Sequence, residues 1–151
     1  MSAVSPPSPS SHAHPLREIL GHHRAINALQ LAFEHQRLHH AYLLHGPEGT
    51  GKRLTALCFA QILLCSELSV ESGGSKSACG HCKSCIRIEK YRADDPNAFH
   101  PDLHLISRER DSSGKRAKEI KIQPIRDLQK SLSFGAFEGG RRVIVIEEVE
   151  R

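Results

Sequence analysis

Seven residues, Gly46-Pro47-Glu48-Gly49-Thr50-Gly51-Lys52, restrict the fold of this chain more than any others. They match the spacing G-x-x-x-x-G-K, whose glycines let successive backbone N–H groups turn inward as an anion-binding nest. The pattern needs a strand leading into the loop and a helix leaving it, because the helix N-terminus adds its positive dipole. Both flanks are legible. Ala41-Tyr42-Leu43-Leu44-His45 is a short apolar run that suits a buried strand of a parallel sheet. Lys52 to Leu64 is apolar nearly all round, as in a crossover helix packed on several sides. The sequence therefore predicts an α/β fold, with Gly46, Gly49, Gly51 and Lys52 as candidate nucleotide-binding residues. A chance glycine-rich loop is the bland alternative.

The position after the lysine departs from a working loop. A Ser or Thr hydroxyl is needed there to hold the Mg²⁺ that bridges the phosphates, and this chain has Arg53. Thr55 is two residues further on, so on a helix it points to another face. Val143 to Ile146 is a β-branched run, read as a strand. It is followed by Glu147 where an Asp would orient the Mg²⁺ shell, and by Glu148 where a water-activating carboxylate would stand. A solvated strand end is the alternative for both glutamates. The loop thus suits phosphate and is poorly equipped for metal-assisted hydrolysis.

Four of the five cysteines form a second pattern. Cys79, Cys82 and Cys85 stand at C-x-x-C-x-x-C spacing, and Cys65 ends the loop helix. Tight C-x-x-C turns present pairs of sulfurs to one tetrahedral ion, so a structural zinc closed by four protein ligands is predicted. An iron–sulfur cluster is the rival, but the further Cys-Pro of bacterial ferredoxins is absent. His81, inside the knuckle, is read as exposed, although it offers a substitute nitrogen. Cys58, on the apolar helix, reads as a core hydrophobe. Clustered thiols of this spacing favour a reducing compartment over disulfides.

The remaining chain supports a single domain. Residues 1–15 are rich in Ser, Pro and His and read as a disordered tail without the layout of a secretory signal. No apolar run approaches the roughly 20 residues needed to cross a bilayer, so a cytoplasmic protein without membrane contact is expected. Leu16 to His39 predicts a short lead-in and an amphipathic helix with Ile26, Leu29 and Phe33 on one face. Ser66 to Ala78 reads as a loop, Ile86 to Arg92 as a short helix, and Leu103 to Ile106 as a second strand. A further helix carries Pro124 in its first turn and Ile125, Leu128 and Leu132 as its buried face. The net charge of +4 permits nucleic-acid contact without arguing for it. The charged loop Arg108 to Lys118 lacks interleaved aromatics, so solvent is its expected neighbour and DNA the alternative. The five histidines at 22, 23, 35, 39 and 40 read as solvated.

These motifs, in this order, resemble the delta-prime subunit family of the bacterial DNA polymerase III clamp loader. The resemblance runs from Leu16 to Arg151. It is carried by Leu38 to Leu44, the phosphate loop, Leu63-Leu64-Cys65, Cys79 to Cys85, His100-Pro101-Asp102-Leu103, Ile122 to Leu128 and Glu138 to Arg142. It implies an AAA+ type parallel sheet flanked by helices across residues 16–151. An inserted zinc module at about 65–92 would use Cys65, Cys79, Cys82 and Cys85, and ATP is an optional ligand. It also implies a non-hydrolysing stator in the polymerase holoenzyme, without ATPase activity of its own. The implied partners are gamma/tau and delta and, through the complex, the sliding clamp and primed DNA. An ATP-hydrolysing motor of gamma/tau type is the alternative, and Arg53 separates the chain from it. In that fold a fourth strand lies between the two motif-bearing strands. The chain is therefore expected to be an incomplete domain, truncated after the Val143–Ile146 strand and prone to aggregate alone.

Overall fold

The computed structural model describes residues 15–71, 73–108, 121–138 and 140–147. Residues 1–14 of the expected tail, Glu148 and all of the charged loop but Arg108 lie outside them. Pro15, assigned to the tail from sequence, instead opens a 3-10 turn, Pro15–Glu18, in which Pro15 and Leu16 are buried. Helix α1 is His23–Glu34, and its buried residues are Ile26 and Leu29, with Phe33 packed beside them. The histidines at 22, 23, 35, 39 and 40 are exposed.

Helix α2, Lys52–Leu64, is the centre of the packing. One of its faces, with Cys58, Phe59 and Ile62, meets Leu16, Ile19, Ile26 and Leu29 together with Cys79, Cys82 and Cys85. The other, with Leu57, Ala60 and Leu64, meets Ile88, Leu103 and Val145. Positions 57, 60 and 64 recur at helical spacing, so two neighbours can be served by one helix.

Two-residue strands β1, Ser69–Val70, and β2, Lys76–Ser77, pair antiparallel inside the segment read as loop. Helix α3 is Lys83–Arg92, so it starts within the cysteine cluster, with Cys82 as its N-cap. Strands β3, Leu103–Ile106, and β4, Val143–Ile146, pair in parallel with Leu103 opposite Val143. That pair, backed by α2, makes the fold α/β.

Two expectations are corrected. Ala41 to His45 is not a buried strand: it joins neither sheet, and Leu43 is 74% exposed. A strand exists through ladder partners, and none reaches this segment among the described residues. It is held instead by Tyr42, whose ring meets Phe59 edge to face at 5.7 Å and whose hydroxyl accepts the His39 N–H. Helix α4, Ile122–Leu132, has no buried residue. Ile125 and Leu128 are only half-covered, and Leu132 is exposed, because β3 is its main neighbour.

Candidate metal centre and phosphate loop

Three elements bring the four cysteines together. Cys65 caps the C-terminus of α2, Cys79 follows β2, and Cys82 and Cys85 occupy the N-cap and first turn of α3. Gly80 takes a left-handed conformation (φ 77°) that lets the knuckle turn between them. All four sulfurs lie within 4.8 Å of one another. The Cys65–Cys82 and Cys79–Cys85 separations are 4.0 Å each. A tetrahedral ion with metal–sulfur bonds of about 2.3 Å needs sulfur–sulfur edges of about 3.8 Å. The cluster fits that cage with little movement.

Backbone N–H groups already point at the sulfurs. Cys79 N–H donates to Cys65 Sγ and Cys82 N–H to Cys79 Sγ, each at 3.3 Å. Cys85 N–H donates to Cys82 Sγ at 3.5 Å. Such donors favour thiolate over thiol. For Cys82, burial pushes the pKa up, but hydrogen bonds from Ser66 and Cys85 outweigh it and hold it at about 6. Burial dominates at Cys65 and Cys85, whose thiols are pushed up. An ion in the cage would supply the positive charge that lets all four ionise.

His81 stands apart from the cage. Its side chain is 62% exposed, with Nδ1 3.0 Å from the Cys79 carbonyl and Nε2 3.3 Å from Glu67. Cys58 is fully buried, and desolvation pushes its thiol up to about 11, as suits a core position. None of the five cysteines is in a disulfide.

In the segment read as a phosphate loop, two glycines take the left-handed region. Gly49 and Gly51 both have φ of 81°, a conformation that side chains disfavour. Lys52 folds back over the loop, donating to the carbonyls of Gly46 at 2.6 Å and Pro47 at 2.7 Å. A phosphate would have to draw the ammonium away from these oxygens. Thr55 donates its hydroxyl to the Gly51 carbonyl one turn back, a bond within the first turn of the helix that engages its proton.

Arg53 leaves the loop. Its Nη2 donates to the Tyr91 carbonyl at 3.0 Å and lies 2.9 Å from Asp94 Oδ1, while Nε is 2.5 Å from Glu147 Oε1. The Glu147 contact is between charges, not a directed hydrogen bond. The residue in the magnesium-ligand place and the residue in the strand-end carboxylate place are therefore paired with each other. These residues do not fit a bound Mg²⁺.

Sequence reasoning missed a buried polar chain beside the cysteines. His100 Nε2 is 2.9 Å from Ser84 Oγ, and its Nδ1 accepts the Asp102 N–H at 3.0 Å. Nδ1 is thus unprotonated, and Nε2 carries the proton and donates to Ser84. The Asp102 carboxylate accepts the N–H groups of Phe137 and Glu138, each at 2.7 Å. Ser, His and Asp here are no nucleophilic triad, because the imidazole donates to the serine and cannot take its proton. The available signal was His-Pro-Asp directly before an apolar strand.

Residues 21–151 match the model of the protein family described as "DNA polymerase III, delta subunit". The chain is 32% identical over 128 residues to the DNA polymerase III subunit delta' of Bacillus subtilis (strain 168), covering 85% of this chain and 33% of that protein. It is 34% identical over 111 residues to the subunit delta' of Pseudomonas aeruginosa, covering 74% of this chain and 29% of that protein. It is 31% identical over 132 residues to the subunit tau of Escherichia coli (strain K12), covering 87% of this chain and 17% of that protein. The chain thus spans a third or less of the length of these relatives. No helix among the described residues is long and apolar enough to cross a membrane.

Proposed function

Because the chain belongs to the family described as DNA polymerase III, delta subunit, we propose that it serves in a clamp loader as a non-hydrolysing stator. In this reading it joins gamma/tau and delta subunits in the cytoplasm and helps place the sliding clamp on primed DNA. Residues 16–151 form an AAA+ type nucleotide-binding domain with a zinc module at about 65–92. Cys65, Cys79, Cys82 and Cys85 hold a structural zinc, the soft-ligand ion that prefers four thiolates in a closed tetrahedron. Gly46, Gly49, Gly51 and Lys52 are retained as a phosphate cradle, with ATP an optional ligand.

One observation carries the non-hydrolysing part. Arg53, in the place of the magnesium ligand, is paired with Glu147, in the place of the metal-orienting carboxylate. An ATP-hydrolysing motor of gamma/tau type draws support from the intact Gly46 to Lys52 half of the loop, but it needs both of those positions free.

The test mixes the purified chain with gamma/tau and delta subunits from the same source and follows co-elution by gel filtration. Co-elution is expected, and its absence sinks the clamp-loader reading. A parallel assay follows phosphate release from ATP with Mg²⁺ by the chain alone. Turnover that disappears in Lys52→Ala would replace the stator by the motor.

A further inference from the structure

In a phosphate loop the divalent cation has two roles. It neutralises phosphate charge, and through the hydroxyl after the lysine it links the first turn of the loop helix to a carboxylate at the end of a neighbouring strand. The second role is mechanical, and here groups of the chain itself fill it. Arg53 sits in the first turn of α2, and its guanidinium reaches Glu147 just past β4 at 2.5 Å. The same guanidinium contacts the Tyr91 carbonyl at 3.0 Å and Asp94 at 2.9 Å, near the C-terminus of α3. Three segments that are distant in the sequence meet on one cation.

The chemistry suits a permanent link. A guanidinium stays protonated at any working pH and offers donors in a planar fork, so one side chain can serve several acceptors. Both partners of the central pair are sheltered, at 34% exposure for Arg53 and 21% for Glu147. That shelter reduces the screening that makes exposed pairs weak. The Glu147 N–H also donates to the Ile106 carbonyl at 2.8 Å, which anchors the backbone of Glu147 at the end of the β3–β4 ladder.

We propose that the Arg53–Glu147 pair is a built-in replacement for the magnesium bridge, a clasp that holds the phosphate-loop helix to the sheet whether or not an anion fills the loop. The inference rests on reading Gly46 to Lys52 as a phosphate loop and does not require the clamp-loading role. Its consequence is a folded state that needs neither nucleotide nor Mg²⁺ and gains nothing from Mg²⁺ added to nucleotide.

The test is thermal melting of the zinc-loaded 151-residue chain in buffer, with ATP plus MgCl₂, and with ATP without added Mg²⁺ as a control, no chelator being used because it would strip the cysteine site. The wild-type midpoint is expected to be the same with ATP plus MgCl₂ as with ATP alone. Arg53→Thr restores the hydroxyl and frees Glu147. It is expected to melt about 2–4 °C lower, as for the loss of one modest interaction in a chain of this size, and to recover with Mg²⁺ and ATP but not with ATP alone. Arg53→Lys and Glu147→Gln are expected to melt lower and not to recover, since one lacks the hydroxyl and the other the carboxylate. If Arg53→Thr does not fold, these two variants still test the clasp. The proposal is overturned if the variants melt with the wild type, if Arg53→Thr shows no magnesium-dependent recovery, or if adding Mg²⁺ to ATP raises the wild type. Failure of the stator reading would register separately, as phosphate release by the wild type at an unchanged midpoint.

Discussion

Asp102 is fully buried, yet it stays compatible with a folded chain because both carboxylate oxygens accept backbone N–H groups, from Phe137 and Glu138. A buried polar group costs little when its bonds are made and much when they are not. Asp102→Asn keeps the shape but turns one acceptor into an NH₂ donor facing an N–H. We expect a loss of about 1–3 kcal/mol, read from the urea midpoint, and an unchanged midpoint would refute the role of the carboxylate. The same residue shows why sequence reading stopped where it did. The candidate thiols were legible because three of the four sit within a seven-residue run and need only a local turn to converge. Asp102 and Arg53 find their partners more than thirty residues away, and only packing brings those partners close.

At the scale of elements, the runs with strong periodicity or β-branching were readable: α1, α2, β3 and β4 fall where the patterns put them. The hairpin of β1 and β2 was not, because strands of two residues have no alternation to detect. Helix α4 was found, but its coverage was overstated, since a pattern reveals an apolar face and not whether a neighbour is there to cover it. The joint between α3 and β3 depends on His100, whose ring donates to Ser84. Burial is the main influence on its pKa and lowers it from the ordinary 6.5, against the pull of Glu138 and Asp102. The unfolded chain therefore takes up this proton first as pH falls. The stability that neutral His100 contributes is complete above about 6.5 and is lost as pH drops through the folded-state value. Between pH 7 and 5 the wild-type melting temperature should fall more steeply than that of His100→Gln. Parallel slopes would show that the imidazole does not titrate with folding.

The whole molecule is organised around α2, and the larger of its two apolar clusters contains Cys79, Cys82 and Cys85. With so much of one core gathered around the sulfurs, metal binding and folding should be coupled. The reduced protein is expected to carry one zinc per chain by metal analysis, and Cys82→Ser to lose it. Stripping the metal with a strong chelator should lower the melting temperature by several degrees. It should also speed hydrogen exchange in the 3-10 turn, α1 and α3 more than in β3 and β4, which face the other cluster. Equal loosening of both regions, or zinc content unchanged in the serine variant, would refute the arrangement.

The parallel pairing of β3 with β4 also has a kinetic consequence. Their register partners, such as Leu103 and Val143, are forty residues apart in the chain. Closing a loop of that length costs about 3 kcal/mol in chain entropy before any contact repays it. The four cysteines converge over a span of only twenty residues, Cys65 to Cys85, whereas the 3-10 turn and α1 reach that region over forty or more, as in Glu34 with Ser75 and Glu18 with Arg92. On this ground the cysteine cluster is expected to close before the β3–β4 pair, and Arg53 meets Glu147 only when β4 arrives.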